Sequence, residues 1–149
     1  MKLNTGARFK KPKRKETEIQ AEILNLLKRR GIFAYNSKNQ GTWNAAKSCY
    51  IYHGLQGVPD ITGFLPGGRA LYIEVKRPGE NLREGYFTKA GKYIPGQTDF
   101  RDIAIAQGTL YILARSIEDV ESALPPPGVV YVWCTAGEPC AWAIKTGGE

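Results

Sequence analysis

The stretch GVPDITGFLPGGRALYIEVKRPG, residues 57–79, decides the fold. Two β-rich runs, Val58–Phe64 and Ala70–Lys76, flank LPGGR, a strong turn signal, so the segment predicts an antiparallel hairpin. Residues two apart in a strand share a face, so Glu74 and Lys76 project together while Ile73 and Val75 anchor in the core. Asp60 lies near the start of the preceding strand, and its placement depends on the turn. An odd loop centred on Gly67 sets Asp60 opposite Glu74 on one face; a two-residue Gly67-Gly68 turn sends it to the other. Two carboxylates held beside a lysine on a rigid sheet are costly unless compensated, and a divalent cation compensates them. Mg²⁺ or Mn²⁺ prefers oxygen ligands, here Asp60, Glu74 and the backbone carbonyl of Val75. Such a site supports phosphodiester hydrolysis, with Lys76 orienting or deprotonating a water and stabilising charge on the phosphate.

Outward from this hairpin, Thr17–Arg30 reads as an amphipathic helix with Ile19, Ile23, Leu26 and Leu27 inward, Thr17 as N-cap and Gly31 as stop. Ile32–Asn36 reads as a strand, and residues 37–57 as a long loop holding at most a short irregular strand. Residues 77–95 are polar and irregular around an Ala-Gly turn. Gln97–Gln107 reads as a helix with Phe100, Ile103 and Ala104 inward, Leu110–Ala114 as a buried strand, and Ser116–Leu124 as a short helix capped by Ser116. Val129–Trp133 and Ala141–Ile144 are expected to form a final hairpin, whose Trp133 to Trp142 aromatics make it a candidate dimer surface. The order implies an α/β fold: one mixed sheet with helices against it.

The chain has 149 residues, 42% hydrophobic and 23% charged, which fits one domain and argues against a wholly disordered chain. No apolar run approaches membrane-spanning length and no apolar block follows the basic N-terminus, so membrane and secreted readings are set aside. The net charge of +7 is concentrated in residues 1–16, which hold seven Lys/Arg, Lys13, Arg14 and Lys15 among them, against one Glu. That segment is expected to be a flexible basic arm ahead of a single domain, 17–149, and to attract polyphosphate or simply to solubilise. Cys49, Cys134 and Cys140 are an odd set, which suggests reduced thiols in a cytoplasmic setting. With His53 they have zinc-ligand chemistry, but C-x3-H and C-x5-C match no common zinc module, and His53 is expected to be bonded to backbone.

GVPD followed by IEVKR resembles the PD-(D/E)XK nuclease superfamily, and more closely its VRR-NUC branch, in which Gly-x-Pro-Asp, a Gly-rich turn and Ile-Glu-Val-Lys follow in this order. TEIQAEILNLLKRRGIFAYNS is similar to the branch's first helix and strand, and GQTDFRDIAIAQGTLYILARS to its Gln-bearing helix and next strand. The resemblance spans residues 17–116. It implies a restriction-endonuclease-like core and a Mg²⁺- or Mn²⁺-dependent DNA endonuclease. Asp60 and Glu74 match the metal-binding acids, Lys76 the catalytic lysine, Glu18 a first-helix glutamate that reaches the metal directly or through water, and Gln97 the glutamine that closes the active site. By position alone, Glu18 equally suits the favourable first turn of a helix, and Gln97 a helix N-terminus. Gly57 and Pro59 fit the tight turn into the metal-bearing strand. Stand-alone members of the branch, small and often virus-encoded, resemble dimeric Holliday junction resolvases, which implies branched DNA as substrate, a homodimer, and the host cytoplasm where the source is a virus.

The chain departs from the branch between Lys76 and Gln97, where it is longer. Tyr86, Phe87, Lys89, Lys92 and Tyr93 interleave aromatic and cationic groups there, as a flap that stacks on bases or grips a backbone, or as a surface hairpin without a ligand. The competing functions are a non-catalytic nucleic-acid-binding module, which would usually have lost one of Asp60, Glu74 and Lys76, and a nuclease for ordinary duplex DNA.

Overall fold

The computed structural model describes residues 14–37, 42–51, 55–127, 129–130 and 143–144. The arm before Arg14 with Lys13, the zinc grouping through His53, Cys134 and Cys140, and the Trp133–Trp142 tip lie outside the described residues.

A four-stranded mixed sheet in the order β1-β4-β5-β8 forms the centre. Its strands are β1 (Phe33–Asn36), β4 (Ile61–Phe64), β5 (Ala70–Val75) and β8 (Leu110–Ala114). β4 pairs antiparallel with both β1 and β5, while β5 and β8 run parallel. The parallel step is made through α2 (Gln97–Ala106), since parallel neighbours need a crossover. α1 (Glu16–Arg29) and α3 (Ile117–Ala123) pack on one face, with Ile19, Ile23, Leu26, Leu27 and Val120 against Ile61, Leu71, Ile73, Val75, Ile112 and Ala114. Each such aliphatic side chain taken fully out of water contributes about 2 kcal/mol, so this layer is where the sheet is held. α2 covers the opposite face, where the Phe100 ring meets Tyr72 edge-on at 5.1 Å.

The hairpin register is the odd one. Leu65 N–H donates to Arg69 O at 2.8 Å and Gly68 N–H to Leu65 O at 3.0 Å. Pro66 and Gly67 thus occupy the middle of a type II turn, and Gly67, at φ +94°, supplies the positive φ that the turn requires. Ile61 pairs with Ile73, and one step further along that register Asp60 faces Glu74.

Three details differ from expectation. α1 begins at Glu16, with Lys15 at the cap position rather than Thr17, because Glu18 and Ile19 N–H groups already bond Lys15 O. Ile103 is 64% exposed; the inward stripe of α2 is Gln97, Phe100 and Ala104, and Ile103 sits one residue, about 100° of rotation, off it. The stretches read as irregular hold two short antiparallel hairpins, β2 (Thr42–Asn44) with β3 (Cys49–Ile51), and β6 (Tyr86–Phe87) with β7 (Tyr93–Ile94). β9 (Val129–Val130) pairs with β10 (Ala143–Ile144), within the span expected for the last hairpin.

Candidate active site

β5 carries two alternating sets of side chains. Leu71, Ile73 and Val75 enter the core under α1, while Tyr72, Glu74 and Lys76 point to the face that α2 covers. Glu74 is 1% exposed and is the buried charged residue of this core. Its Oε1 accepts from Lys76 Nζ at 2.8 Å and from Gln97 Nε2, whereas Oε2 is buried with no partner. Burial pushes the Glu74 carboxyl up to about 7, with the Asp60 charge adding to the rise and Lys76 opposing it.

Asp60 stands one residue before β4 begins, beyond the last backbone-paired position of β4 and β5. Its Oδ2 takes the Val75 N–H at 2.8 Å, so the carboxylate caps the ladder and is fixed beside the Val75 backbone. Burial raises its pKa as well, against the Val75 hydrogen bond and the charge of Lys76. Two neighbouring carboxyls that burial makes costly to ionise are a pair whose charged forms a nearby cation would stabilise.

The approach to Asp60 is built on a close contact. Gly57 adopts φ +82°, and a Cβ there would lie 2.4 Å from Gly96 O. Pro59 is fully buried behind it. The glycine therefore lets the lead into β4 touch the lead into α2, and this contact brings Gln97 over Glu74. The amide of Gln97 is held at both ends: Oε1 accepts from Arg83 N–H at 2.9 Å while Nε2 reaches Glu74. Arg83 O receives the N–H groups of Gln97 and Thr98 at 2.7 and 3.2 Å. The loop after Lys76 is tied further back by Arg115, whose guanidinium donates to Glu80 O at 2.7 Å.

The structure thus brings Asp60, Glu74, Lys76, Gln97 and the Val75 backbone together. Glu18 is not brought to them. It is exposed, and its carboxylate turns back to accept the Lys15 N–H at 3.3 Å, as an acid in a first helical turn does. Among the described residues no cluster of three or more Asp, Glu, His or Cys side chains is placed to hold a metal. Arg14 pairs with Glu22, Lys15 is exposed at the start of α1, and Lys89 and Lys92 are exposed at the β6–β7 turn.

A Mg²⁺-type ion fits what is present. Such ions are commonly held by one or two carboxylates with water and substrate phosphate completing the shell, and the unpartnered Glu74 Oε2 is an oxygen without a hydrogen-bond donor. Val75 O, on the residue that follows Glu74 and whose N–H Asp60 accepts, would complete the protein ligands.

Some neighbours of the site escaped the sequence reading. Tyr111, in register with Tyr72 on β8, shares the acid face; its hydroxyl is buried without a partner, and burial with the nearby Glu74 charge holds its pKa well above the ordinary range. Strand alternation in Leu110–Ala114 could have shown this tyrosine opposite Ile112. Glu16 lies on the same stripe of α1 as Ile19 and approaches Arg77 at 4.0 Å, so it is the first-helix glutamate nearer the end of β5. Beyond α2 the same sheet face exposes Phe33, Tyr35 and Phe64, with Phe33 stacked on Phe64 at 6.3 Å.

No family model matches the chain, and neither the curated proteins nor the solved structures include a match. No helix among the described residues is long and apolar enough to cross a membrane.

Proposed function

We propose that this chain is a Mg²⁺- or Mn²⁺-dependent endonuclease that hydrolyses phosphodiester bonds in DNA, built on a PD-(D/E)XK core of the VRR-NUC type. The observation that carries the reading is Glu74: a fully buried carboxylate with Lys76 and Gln97 on one oxygen, no partner on the other, and Asp60 opposite in register. A buried acid left half-satisfied at the end of a strand is costly for a fold and useful for holding a cation.

When bound, the cation polarises the phosphoryl oxygen and acidifies a water. Asp60 and Glu74 would hold it, fixed by the Val75 N–H and the Lys76 ammonium respectively. Lys76, 16% exposed beside Glu74, orients the attacking water and faces the negative charge that builds on the phosphate. Gln97 holds the Glu74 carboxylate from above and ties it to the backbone of Arg83. The water oxygen bonds to phosphorus, one ester bond breaks, and the leaving oxygen takes up a proton.

The substrate we infer is branched DNA such as a Holliday junction, cut by a homodimer that sets two such sites across the branch. This rests on the sequence resemblance and on the small surface one domain offers. The test is cleavage of a synthetic four-way junction and a matched linear duplex with Mg²⁺ or Mn²⁺, by wild type, Lys76→Ala and Asp60→Ala. Junction cutting lost in both variants, with the duplex spared, supports the reading. Equal cutting of both substrates removes the junction preference and assigns a nuclease for ordinary duplex. Tight binding without metal and without cutting assigns a non-catalytic nucleic-acid-binding module.

A further inference from the structure

We propose that the β6–β7 hairpin is a stacking platform for an unpaired nucleobase, with Phe87 as the ring on which the base lies and Lys89 and Lys92 set toward the flanking phosphates. The polymer is taken from the nuclease reading above, and the residues are different ones.

Phe87 is 72% exposed, the largest exposure among the described large hydrophobic side chains. In the hairpin register it lies opposite Tyr93, and the two rings meet at 4.9 Å and 54°, so Tyr93 supports one side of Phe87 and leaves its outer face open. Tyr93 is itself pinned: its hydroxyl donates to Asp99 Oδ1 at 2.7 Å, and Asp99 Oδ2 accepts the Gly96 N–H at 2.6 Å. The turn is closed by Thr88 and Lys92, whose backbones bond at 2.9 Å while Thr88 Oγ1 takes the Lys92 N–H at 3.1 Å. An isolated two-stranded hairpin is marginal in water; this one is fastened through Asp99 to the first turn of α2, where Gln97 touches Glu74. The segment leaves the acid pair at Lys76 and returns to it at Gln97, so the ring is held in a fixed relation to the cutting site.

The chemistry of the hairpin selects the occupant. Tyr86 to Ile94, YFTKAGKYI, carries three aromatic rings and two lysines and no acidic side chain. Aromatic faces interleaved with cations match a strand whose bases can stack and whose phosphates are anionic. A base inside a duplex has both faces covered by its neighbours, so an exposed ring can take only a base that is already open, at a gap, an end or a branch point.

The test places 2-aminopurine in a short unpaired segment at a DNA branch and, separately, in a fully paired duplex, with Ca²⁺ in place of Mg²⁺ so that binding is read apart from cutting. Wild type is expected to change the fluorescence of the unpaired base. Phe87→Ala is expected to abolish that change and weaken binding of the branched DNA roughly tenfold, leaving duplex binding unaltered, and Phe87→Trp to restore both. Equal loss on branch and duplex, or no dependence on Phe87, overturns the platform. Cleavage by wild type with Mg²⁺ is scored separately. A stacking signal without cleavage sinks the nuclease reading and keeps the platform, whereas cleavage without Phe87 dependence does the reverse.

Discussion

Lys76, one residue past the end of β5, forms a 2.8 Å ion pair with the buried Glu74 on that strand, and Gln97 from α2 shares the same carboxylate oxygen. A buried pair of this kind contributes little net stability while intact and costs a good deal when one partner is removed. Its presence at the end of the sheet is thus better understood through what the second oxygen of Glu74 is left to do.

Removing the ammonium should cost both chemistry and stability. Lys76→Met is expected to lower cleavage by roughly 10²–10⁴-fold, the range for losing a positioned proton-transfer or charge-stabilising group. The same variant is expected to be destabilised relative to wild type more at pH 8 than at pH 5, because Lys76 favours the ionised form of Glu74, which is populated at the higher pH. Denaturant unfolding of wild type and variant at the two pH values checks this.

Glu74 also predicts the pH dependence of the metal-free protein. Its pKa rises from 4.5 unfolded to about 7 folded, chiefly through burial. Between these values the folded state holds more protons than the unfolded one, so stability is fully present below pH 4.5 and declines as pH rises through about 7. The shift corresponds to about 3 kcal/mol. Urea unfolding in EDTA across this range should show the decline in wild type and a flatter profile in Glu74→Gln.

A bound cation should cancel that loss. Mg²⁺ or Mn²⁺ at pH 8 is expected to raise the melting temperature of wild type by mass action, most where both acids are ionised. Asp60→Asn and Glu74→Gln should each abolish most of the increase. Thermal scans with and without the cation, with Ca²⁺ and Na⁺ at matched ionic strength, separate coordination from screening.

Gly57 should prove more sensitive than an ordinary left-handed glycine. Gly57→Ala meets both a positive φ and the Gly96 carbonyl at 2.4 Å, so it is expected to cost about 2–4 kcal/mol and to move Gln97 off Glu74. Gly31→Ala, at φ +68° with open space around it, should cost about 1 kcal/mol and leave cleavage unchanged. Paired unfolding curves and cleavage rates of the two variants make the comparison.

The parts of this fold that sequence discloses are those set by side-chain period. Ile19, Ile23, Leu26 and Leu27 on α1, and the alternation of Ile73 and Val75 with Glu74 and Lys76 on β5, follow from helical and strand spacing and are found as read. Opposition of Asp60 and Glu74 was conditional on the turn, and Pro66 settles it by drawing Gly67 into the turn position that needs positive φ. Residues 77–96 were illegible because their anchors are backbone groups: Arg83 N–H and O on Gln97, and Glu80 O on Arg115. Such bonds leave no mark in residue type. Glu18 stands apart from the acid pair for a related reason. Its phase on α1 turns it from the sheet, while the Lys15 N–H offers a local partner that any first-turn acid accepts. Asp99 was findable, since an acid three residues into a helix behind Gly96 is a recognisable capping arrangement.

The turn at Pro66–Gly68 sets the phase of the acid pair as well as closing the hairpin. A one-residue slip of the strand register at this turn would roll Asp60 to the far side of the sheet from Glu74, whereas a two-residue slip keeps the face. After a one-residue slip, a bulge in β4 would be needed to bring the two acids back to one face.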